Sequence, residues 1–215
     1  MMSEGYKDFS ASVVRTNWPE EKSGQGVIVA GGFVITAAHC VPTNHWTDGI
    51  FDGEALSATN SRLQTVNLRP LFVDRCHDLA VLNLFDDSPQ DWLTDIPTLP
   101  LLWHHARSSK KGFLITHDHG LVNADFDIPR YFLSPPNMQF KAHSAINGGS
   151  SGGPCLTSKG ELLAVISNTL APDNLIGSGA VIAPSLPRWI AAAIRAAERE
   201  DEYYREHPIG DIPLG

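Results

Sequence analysis

The sequence has few cysteines and no extended apolar segment. Only Cys40, Cys76 and Cys155 occur among its 215 residues, an odd number without the dense spacing of a disulfide-stapled secreted domain. No apolar run approaches the ~18 residues that a membrane span requires. Residues 1–12 are charged where a signal peptide would be apolar. We therefore expect a soluble protein with cytoplasmic localisation and no membrane partner.

Basic residues are also scarce. The chain has 16 Lys and Arg against 24 Asp and Glu, a net charge of −8, which disfavours nucleic acid as a partner because phosphate binding depends on clustered positive charge. The one basic cluster, Arg107 with Lys110 and Lys111, is predicted to lie in a solvated loop. The length is enough for a sizeable core in one domain or in two small barrels.

Short β-rich segments, separated by Gly, Pro, Asn and Asp, predict an all-β architecture. The proline-bearing stretch 88–100 divides these segments into two groups. The first group is 12–15, 26–30, 33–36, 63–70 and 80–83. The second group is 112–116, 131–134, 139–142, 153–157, 162–168 and 178–182.

The pattern changes to helix from Ser185. Apolar residues then recur at three- and four-residue steps: Leu186, Trp189, Ile190, Ala193, Ile194 and Ala197. With Ser185 as the cap and Pro187 in the first turn, this predicts a helix over 185–207 that packs on the second half. Its charged end, 198–206, is expected to be solvated. The tail 208–215 has three open interpretations: on a surface, in a groove, or disordered.

Three segments carry nucleophilic chemistry. A serine hydroxyl needs an imidazole to take its proton and a carboxylate to orient that imidazole, and Ser151, His39 and Asp78 can fill these roles. The glycines around Ser151 permit a sharp turn. The turn would let the N–H groups of Gly149 and Ser151 converge on an oxyanion.

Segments 36–40, 78–82 and 151–154 resemble, in the same chain order, the His, Asp and Ser blocks of chymotrypsin-like serine proteases. Segments 145–153 and 24–29 also look like bacterial HtrA-like and related trypsin-like peptidases. The resemblance implies two six-stranded antiparallel β-barrels, 1–100 with His39 and Asp78 and 101–184 with Ser151, followed by the helix and tail. No peptide-binding PDZ domain is expected after them.

The departures from that family are informative. Where zymogen-activated members have an aspartate before the nucleophile, this chain has Ser150, so activation by a newly cut N-terminus is not expected. The usual disulfide of Cys40 would need a cysteine at the position of Gly24. Cys40 is therefore predicted to be a free, buried thiol.

The resemblance also implies a specificity pocket. Its floor would be Ala145, followed by Ile146 and Asn147, and its wall would be Ser167, Asn168 and Thr169. No acidic residue lies there, so a small or medium apolar side chain before the scissile bond is predicted. His143 could instead favour an acidic substrate residue, but we interpret it as a surface or structural histidine.

Other interpretations were weighed. An α/β-hydrolase would place its acid and histidine after the serine, and only His207 follows. Asp74 is a substitute carboxylate, but it lacks the following apolar strand. His117 and His119 could bind a metal ion, yet no partner at diagnostic spacing supports a metal site.

The sequence thus predicts a serine endopeptidase that forms an acyl-enzyme and needs no cofactor. Its partner would be a protein or peptide substrate, with one bacterial effector as a hypothesis and a regulatory partner left open. The competing hypothesis is a catalytically silent peptide-binding pseudoprotease, or a latent enzyme that awaits a trigger.

Overall fold

The computed structural model describes ten ranges of the chain: 13–17, 23–41, 46–47, 50–51, 56–84, 92, 96–104, 110–127, 137–170 and 173–206. Within them, fourteen strands and one C-terminal α-helix, α1, are formed. Twelve of the strands close into two antiparallel barrels. The predicted fold class, two six-stranded barrels followed by a helix, is confirmed.

The first barrel is closed by six strands in the order β1-β2-β3-β8-β7-β6. Their bounds are Val13–Asn17, Ser23–Val29, Phe33–Thr36, Leu79–Leu84, Thr65–Asp74 and Leu56–Thr59. Strands β4 (Trp46–Thr47) and β5 (Ile50–Phe51) pair separately as a small two-stranded sheet. The sequence did not predict β6, whose Leu56 and Ala58 face inward and are buried between small polar residues.

The second barrel is closed in the order β10-β11-β14-β13-β12-β9. The bounds are Gly120–Phe126, Asn137–Ala142, Ile176–Val181, Leu162–Leu170, Pro154–Thr157 and Lys110–Thr116. Strand β10 was missed because its buried residues, Val122, Ala124 and Phe126, alternate with exposed ones and form no continuous apolar run. Lys110 and Lys111 belong to β9, so their assignment to a loop was wrong. Arg107 and the predicted strand 131–134 lie outside the described residues.

Each barrel has its own apolar core, and a third cluster joins them. This joining cluster contains buried residues of the first barrel, the second barrel and the helix, including Val27, Val81, Leu156, Val165 and Ile190. Burial of apolar area on this scale is the dominant favourable term in folding. The two barrels are therefore packed together through an apolar interface, and this interface fixes the relative position of the side chains at its edge.

Helix α1 runs from Arg188 to Glu206, three residues later than the predicted start. Ser185 does not cap it: this residue ends a 3-10 turn, and its hydroxyl donates to the carbonyl of Val181 at 2.7 Å. Trp189, predicted to face the core, is 58% exposed, whereas Ile190 and Ile194 are buried. Within the part of the chain that is described, no helix has both the length and the apolar character needed to cross a membrane.

The helix packs on both barrels and not on the second alone. Ile190 and Ile194 join the cluster between the barrels, and a side chain on Gly31 of the first barrel would lie 3.3 Å from Ala197. Glu198, predicted to be solvated, accepts hydrogen bonds from the Leu101 N–H at 2.9 Å and the Trp103 indole N–H at 2.6 Å. The helix therefore fastens the segment that connects the barrels.

Candidate active site

His39 lies in a short turn at the end of β3. Residues Ala38–Cys40 form one 3-10 turn directly after this buried strand. The side chains of Ala38 and Cys40 are buried, so the ring between them points outward. The His39 side chain is 47% exposed. Because both neighbours of His39 are buried, the His39 imidazole is exposed at the edge of the first barrel.

Asp78 ends the four-residue turn 75–78 between β7 and β8, and it lies directly beside His39. One carboxylate oxygen, Oδ1, accepts the His39 backbone N–H at 2.9 Å. The ring nitrogen Nδ1 lies 2.9 Å from Oδ2 and 3.1 Å from Oδ1. A carboxylate can only accept, so Nδ1 carries the proton and Nε2 of a neutral ring is left as the acceptor. This is the tautomer that a general base for a hydroxyl requires.

The carboxylate has a third partner from the second barrel. The hydroxyl of Ser167, on β13, donates a hydrogen bond to Asp78 Oδ2. The sequence predicted Ser167 only as part of the substrate wall. Its bond to Asp78 could not be read from local sequence because the two residues are 89 positions apart. Ser167 therefore joins the two barrels at the carboxylate.

These contacts shift the titration of both groups. The hydrogen bond to Asp78 is the largest cause that raises the pKa of His39 above its ordinary value of 6.5; Cys40 adds to the rise, and burial opposes it. Burial alone would raise the pKa of Asp78, but the hydrogen bonds from His39 and Ser167 outweigh it, and this pKa lies below its ordinary value. Asp78 is thus ionised at neutral pH and stabilises a protonated His39.

Ser151 lies in a tight turn that is held by backbone hydrogen bonds. Its own carbonyl accepts the Gln25 N–H at 2.7 Å, a bond that reaches across to β2 of the first barrel. The following Gly152 has a φ of +81° and donates to the Ile166 carbonyl at 2.8 Å. Gly149 has a φ of +88°. Both glycines adopt the left-handed region that other residues rarely occupy, so the glycine-rich sequence is required by the turn.

Ser150 makes a contact that the sequence did not predict. This residue is only 1% exposed, and its hydroxyl oxygen accepts the His117 backbone N–H at 3.1 Å. A neutral hydrogen bond therefore joins the residue before Ser151 to the β9–β10 turn, at the position where the sequence analysis noted the absence of an aspartate.

One cleft of about 470 Å³ contains most of the predicted site residues. Its lining consists of His39, Asp78, Ile146, Asn147, Gly148, Ser150, Ser151, Ile166, Ser167, Asn168, Thr169 and Asn174. Two predicted residues, Ala145 and Gly149, are not part of this lining. Asn174 was missed, although the Asp-Asn pair at 173–174 signals a turn. Its φ of +53° and its carbonyl, which accepts the Ile146 N–H at 3.1 Å, tie that turn to the cleft.

The alternative residues are engaged elsewhere. Asp74 accepts the N–H groups of Cys76 and His77 and the His77 ring, all within its own turn. His143 pairs with Asp125 on the surface, with 3.1 Å between Nε2 and Oδ2. Among the described residues no three metal-ligating side chains converge. Both ring nitrogens of His117 lie within 3.1 Å of one guanidinium nitrogen of Arg15.

The cysteines follow the prediction for Cys40. Cys40 and Cys155 are buried, Cys76 is exposed, and all three are free. A side chain on Gly24 would begin 2.8 Å from the Cys40 sulfur. Gly24 thus occupies the position from which a disulfide partner would reach Cys40.

Comparison with known proteins agrees with this geometry. A model of the trypsin-like peptidase domain family matches residues 24–165. The chain therefore belongs to the trypsin-like peptidase family, and its class is that of a serine protease. A search of curated protein sequences found no match.

Several solved structures share the fold. The active form of the Rv3671c protease from M. tuberculosis is 17% identical, with a TM-score of 0.62 over 88% of this chain and 82% of that one. A serine endoprotease from Yersinia pestis is 20% identical, with a TM-score of 0.61 over 88% and 65%. A human pathogenic astrovirus serine protease is 17% identical, with a TM-score of 0.59 over 83% and 94%. At these low sequence identities, the similarity shows a shared fold alone.

Proposed function

We propose that the protein is a serine endopeptidase in which Ser151 is the nucleophile, His39 the general base and then acid, and Asp78 the residue that orients His39. The observation that carries this proposal is the hydrogen-bonded His39–Asp78 pair, in the same cleft as Ser151 and with Nδ1 as the donor. This pair would be the source of a base for the hydroxyl. Because Ser151 belongs to the other barrel, the site depends on both barrels.

The reaction then follows from the groups in the cleft. As the bond from Ser151 Oγ to the carbonyl carbon forms, His39 Nε2 takes the hydroxyl proton and Asp78 stabilises the resulting cation. His39 returns that proton to the leaving amine when the C–N bond breaks. Water repeats the sequence to release the acyl group. The N–H groups of Gly149 and Ser151 are proposed to stabilise the oxyanion.

We further propose a small or medium apolar side chain before the scissile bond. Ile146 and Ile166 contribute apolar lining to the cleft, and Asp78, the one acid in that lining, is already paired with His39 and Ser167. Asn147, Asn168 and Thr169 provide neutral polar groups beside them. Ala145 is retained in the proposed pocket as the residue before Ile146. Residues 167–169 of β13, which lie beyond the part of the strand that pairs with β12, are proposed to pair with an extended substrate.

Digestion of a diverse peptide library, with cleavage sites identified by mass spectrometry, tests this function. We expect internal cleavages after Ala, Val or similar residues with the wild type and none with Ser151→Ala. Arg199→Ala is the control, because Arg199 is an exposed residue of α1 and lies outside the cleft lining. Equal cleavage by wild type and Ser151→Ala would contradict the proposal. No cleavage by a folded wild type would favour a peptide-binding module or a latent enzyme.

The site of action is proposed to be the cytoplasm, with a narrow set of protein substrates. The free state of Cys40, Cys76 and Cys155 supports a reducing compartment. Fractionation of the producing cells with an antibody to the protein tests the compartment. A Ser151→Ala variant used as bait, with the captured proteins then offered to the wild type, tests the substrate range.

A further inference from the structure

Arg75 hydrogen-bonds to the turn that carries His39. Its two terminal guanidinium nitrogens each donate one hydrogen bond to this turn. Nη1 donates to the Ala38 carbonyl and Nη2 to the Val41 carbonyl, both at 2.6 Å. The two carbonyls flank His39 and Cys40 along the chain, so one planar side chain spans the segment that holds the imidazole.

The carbonyls need such a partner. A single 3-10 turn leaves carbonyl groups unsatisfied at its end. The Ala38 carbonyl accepts the Val41 N–H at 3.0 Å, and for the Val41 carbonyl no backbone partner is found among the described residues. Hydrogen bonds from a charged donor are roughly twice as strong as neutral ones, and a guanidinium presents its N–H groups in a fixed fork. Arg75 therefore closes the turn more firmly than the 3-10 bond alone.

Arg75 also begins the turn that ends at Asp78. Asp74 holds this turn from inside through the N–H groups of Cys76 and His77, and Asp78 is kept at a φ of +50°. Such a conformation persists only when its surroundings fix it. Two neighbouring turns are thus clamped together at both ends: Arg75 holds the backbone of the histidine turn, and Asp78 holds the ring and N–H of His39.

We infer that Arg75 is a positioning residue that fixes His39 against Asp78 for proton transfer, a role that rests on the proposed function of the triad. Arg75 is not part of the cleft lining, so it acts through His39 and not on substrate. Its effect belongs to the chemical step, where small misplacements of a catalytic group cost large factors in rate.

We expect the fold not to depend on this side chain. Arg75 is an exposed residue and lies outside the three apolar clusters. Its removal opens no cavity in any of these cores. The Arg75→Ala variant is therefore expected to fold. Its main defect should be a more mobile histidine turn.

Saturation kinetics with an alkyl fluorophosphonate separate binding from chemistry. We expect Arg75→Ala to lower the maximal rate of Ser151 modification by at least about tenfold while the half-saturating concentration is unchanged. Arg75→Lys keeps the charge but replaces the planar fork and its two separate terminal nitrogens with a single ammonium nitrogen, so only part of the rate should return. Millimolar guanidinium ion should partly restore Arg75→Ala. Arg199→Ala, an exposed arginine of α1, is the control.

Each result bears on a different claim. A folded wild type that is not modified at Ser151 contradicts the proposed function itself. A modified wild type with an equal maximal rate in Arg75→Ala overturns the role of Arg75 alone. The downfield proton NMR signal of the His39 Nδ1–H should broaden or move in Arg75→Ala and stay unchanged in Arg199→Ala. Were Arg75→Ala unfolded, full activity of Arg75→Lys would overturn the bridging role.

Discussion

The two barrels hold their parts of the site in different ways. In the first barrel, the site is held by hydrogen bonds from side chains. Asp78 binds the His39 ring, and Arg75 binds the backbone carbonyls on either side of His39. In the second barrel, backbone groups and glycines fix the turn of Ser151. The first arrangement is sensitive to loss of a functional group, whereas the second is sensitive to an atom added where its backbone is closely packed, as at Gly152. The predictions below separate these two kinds of sensitivity.

The largest effect is expected for Gly152→Ala. An added Cβ would lie 2.0 Å from the Gln25 carbonyl oxygen and 2.3 Å from Thr36 Oγ1, at a φ of +81°. Overpacking and left-handed strain together predict a loss of roughly 3 kcal/mol or more in the free energy of unfolding and of all reaction with fluorophosphonate. Urea denaturation measures the first quantity.

Gly148→Ala is the matched control in the same turn, because a Cβ there meets nothing within 4 Å. Its free energy of unfolding should stay within about 0.5 kcal/mol of wild type. A Gly152→Ala variant as stable as Gly148→Ala would show that the turn is not held by close backbone contact with the first barrel.

Asp78→Asn should leave the fold intact and still lower the rate of Ser151 modification by roughly 10³–10⁴-fold, because an amide can donate to Nδ1 and thereby select the wrong tautomer. The comparison with Gly152→Ala is direct: here activity is lost without stability. Rates are measured with the fluorophosphonate, and stability by thermal unfolding. A loss of less than tenfold would contradict the assigned role of Asp78.

Gly24→Cys is expected to form a disulfide with Cys40. Across a disulfide, each Cβ lies about 3 Å from the partner sulfur, and the Cβ position at Gly24 lies 2.8 Å from the Cys40 sulfur. Closing this short loop should stabilise the oxidised variant by up to about 3 kcal/mol relative to its reduced form. Thiol counting and denaturation with and without reductant measure both effects. Two persistently free thiols at these positions after oxidation would contradict the prediction.

The smallest effect concerns pH. His39 acts as a base only when neutral, so its raised pKa places the acid limb of the rate profile above pH 6.5. Cys40 contributes to that rise, second to Asp78, so Cys40→Ala should move the limb to lower pH. Cys76→Ala, which removes an exposed cysteine, should leave it in place. If the pH–rate profiles of Cys40→Ala and Cys76→Ala were equal, Cys40 would not contribute to the raised pKa of His39.

Local sequence marked most of the strands but not β6 or β10, and the resemblance of three segments to a known family supplied the two barrels and supported the residues proposed as the triad. Buried strands show as short apolar runs, and His39, Asp78 and Ser151 each lie in a distinctive segment of neighbouring residues. Bonds between distant positions could not be predicted in this way. The Ser150 hydroxyl binds a backbone N–H of His117, and any residue type at 117 other than proline offers that group.

The helix illustrates the same limit. Its apolar period predicted the buried positions Ile190 and Ile194, but not that Trp189 at the edge of the stripe is exposed. Composition likewise marked Glu198 as part of a charged, solvated end. The fold instead brings this carboxylate to Leu101 and Trp103, 95 or more positions away. The charge pattern shows which helix residues can be solvated when the helix is considered alone. Which of them form hydrogen bonds depends on the connecting segment that packs against the helix.

The central claim, that the two barrels together activate Ser151, is tested most directly by locating a fluorophosphonate adduct by mass spectrometry. The wild type is predicted to carry one adduct, on Ser151, and both Ser151→Ala and His39→Ala are predicted to carry none. An adduct on another residue, or one on Ser151 that persists in His39→Ala, would contradict the account.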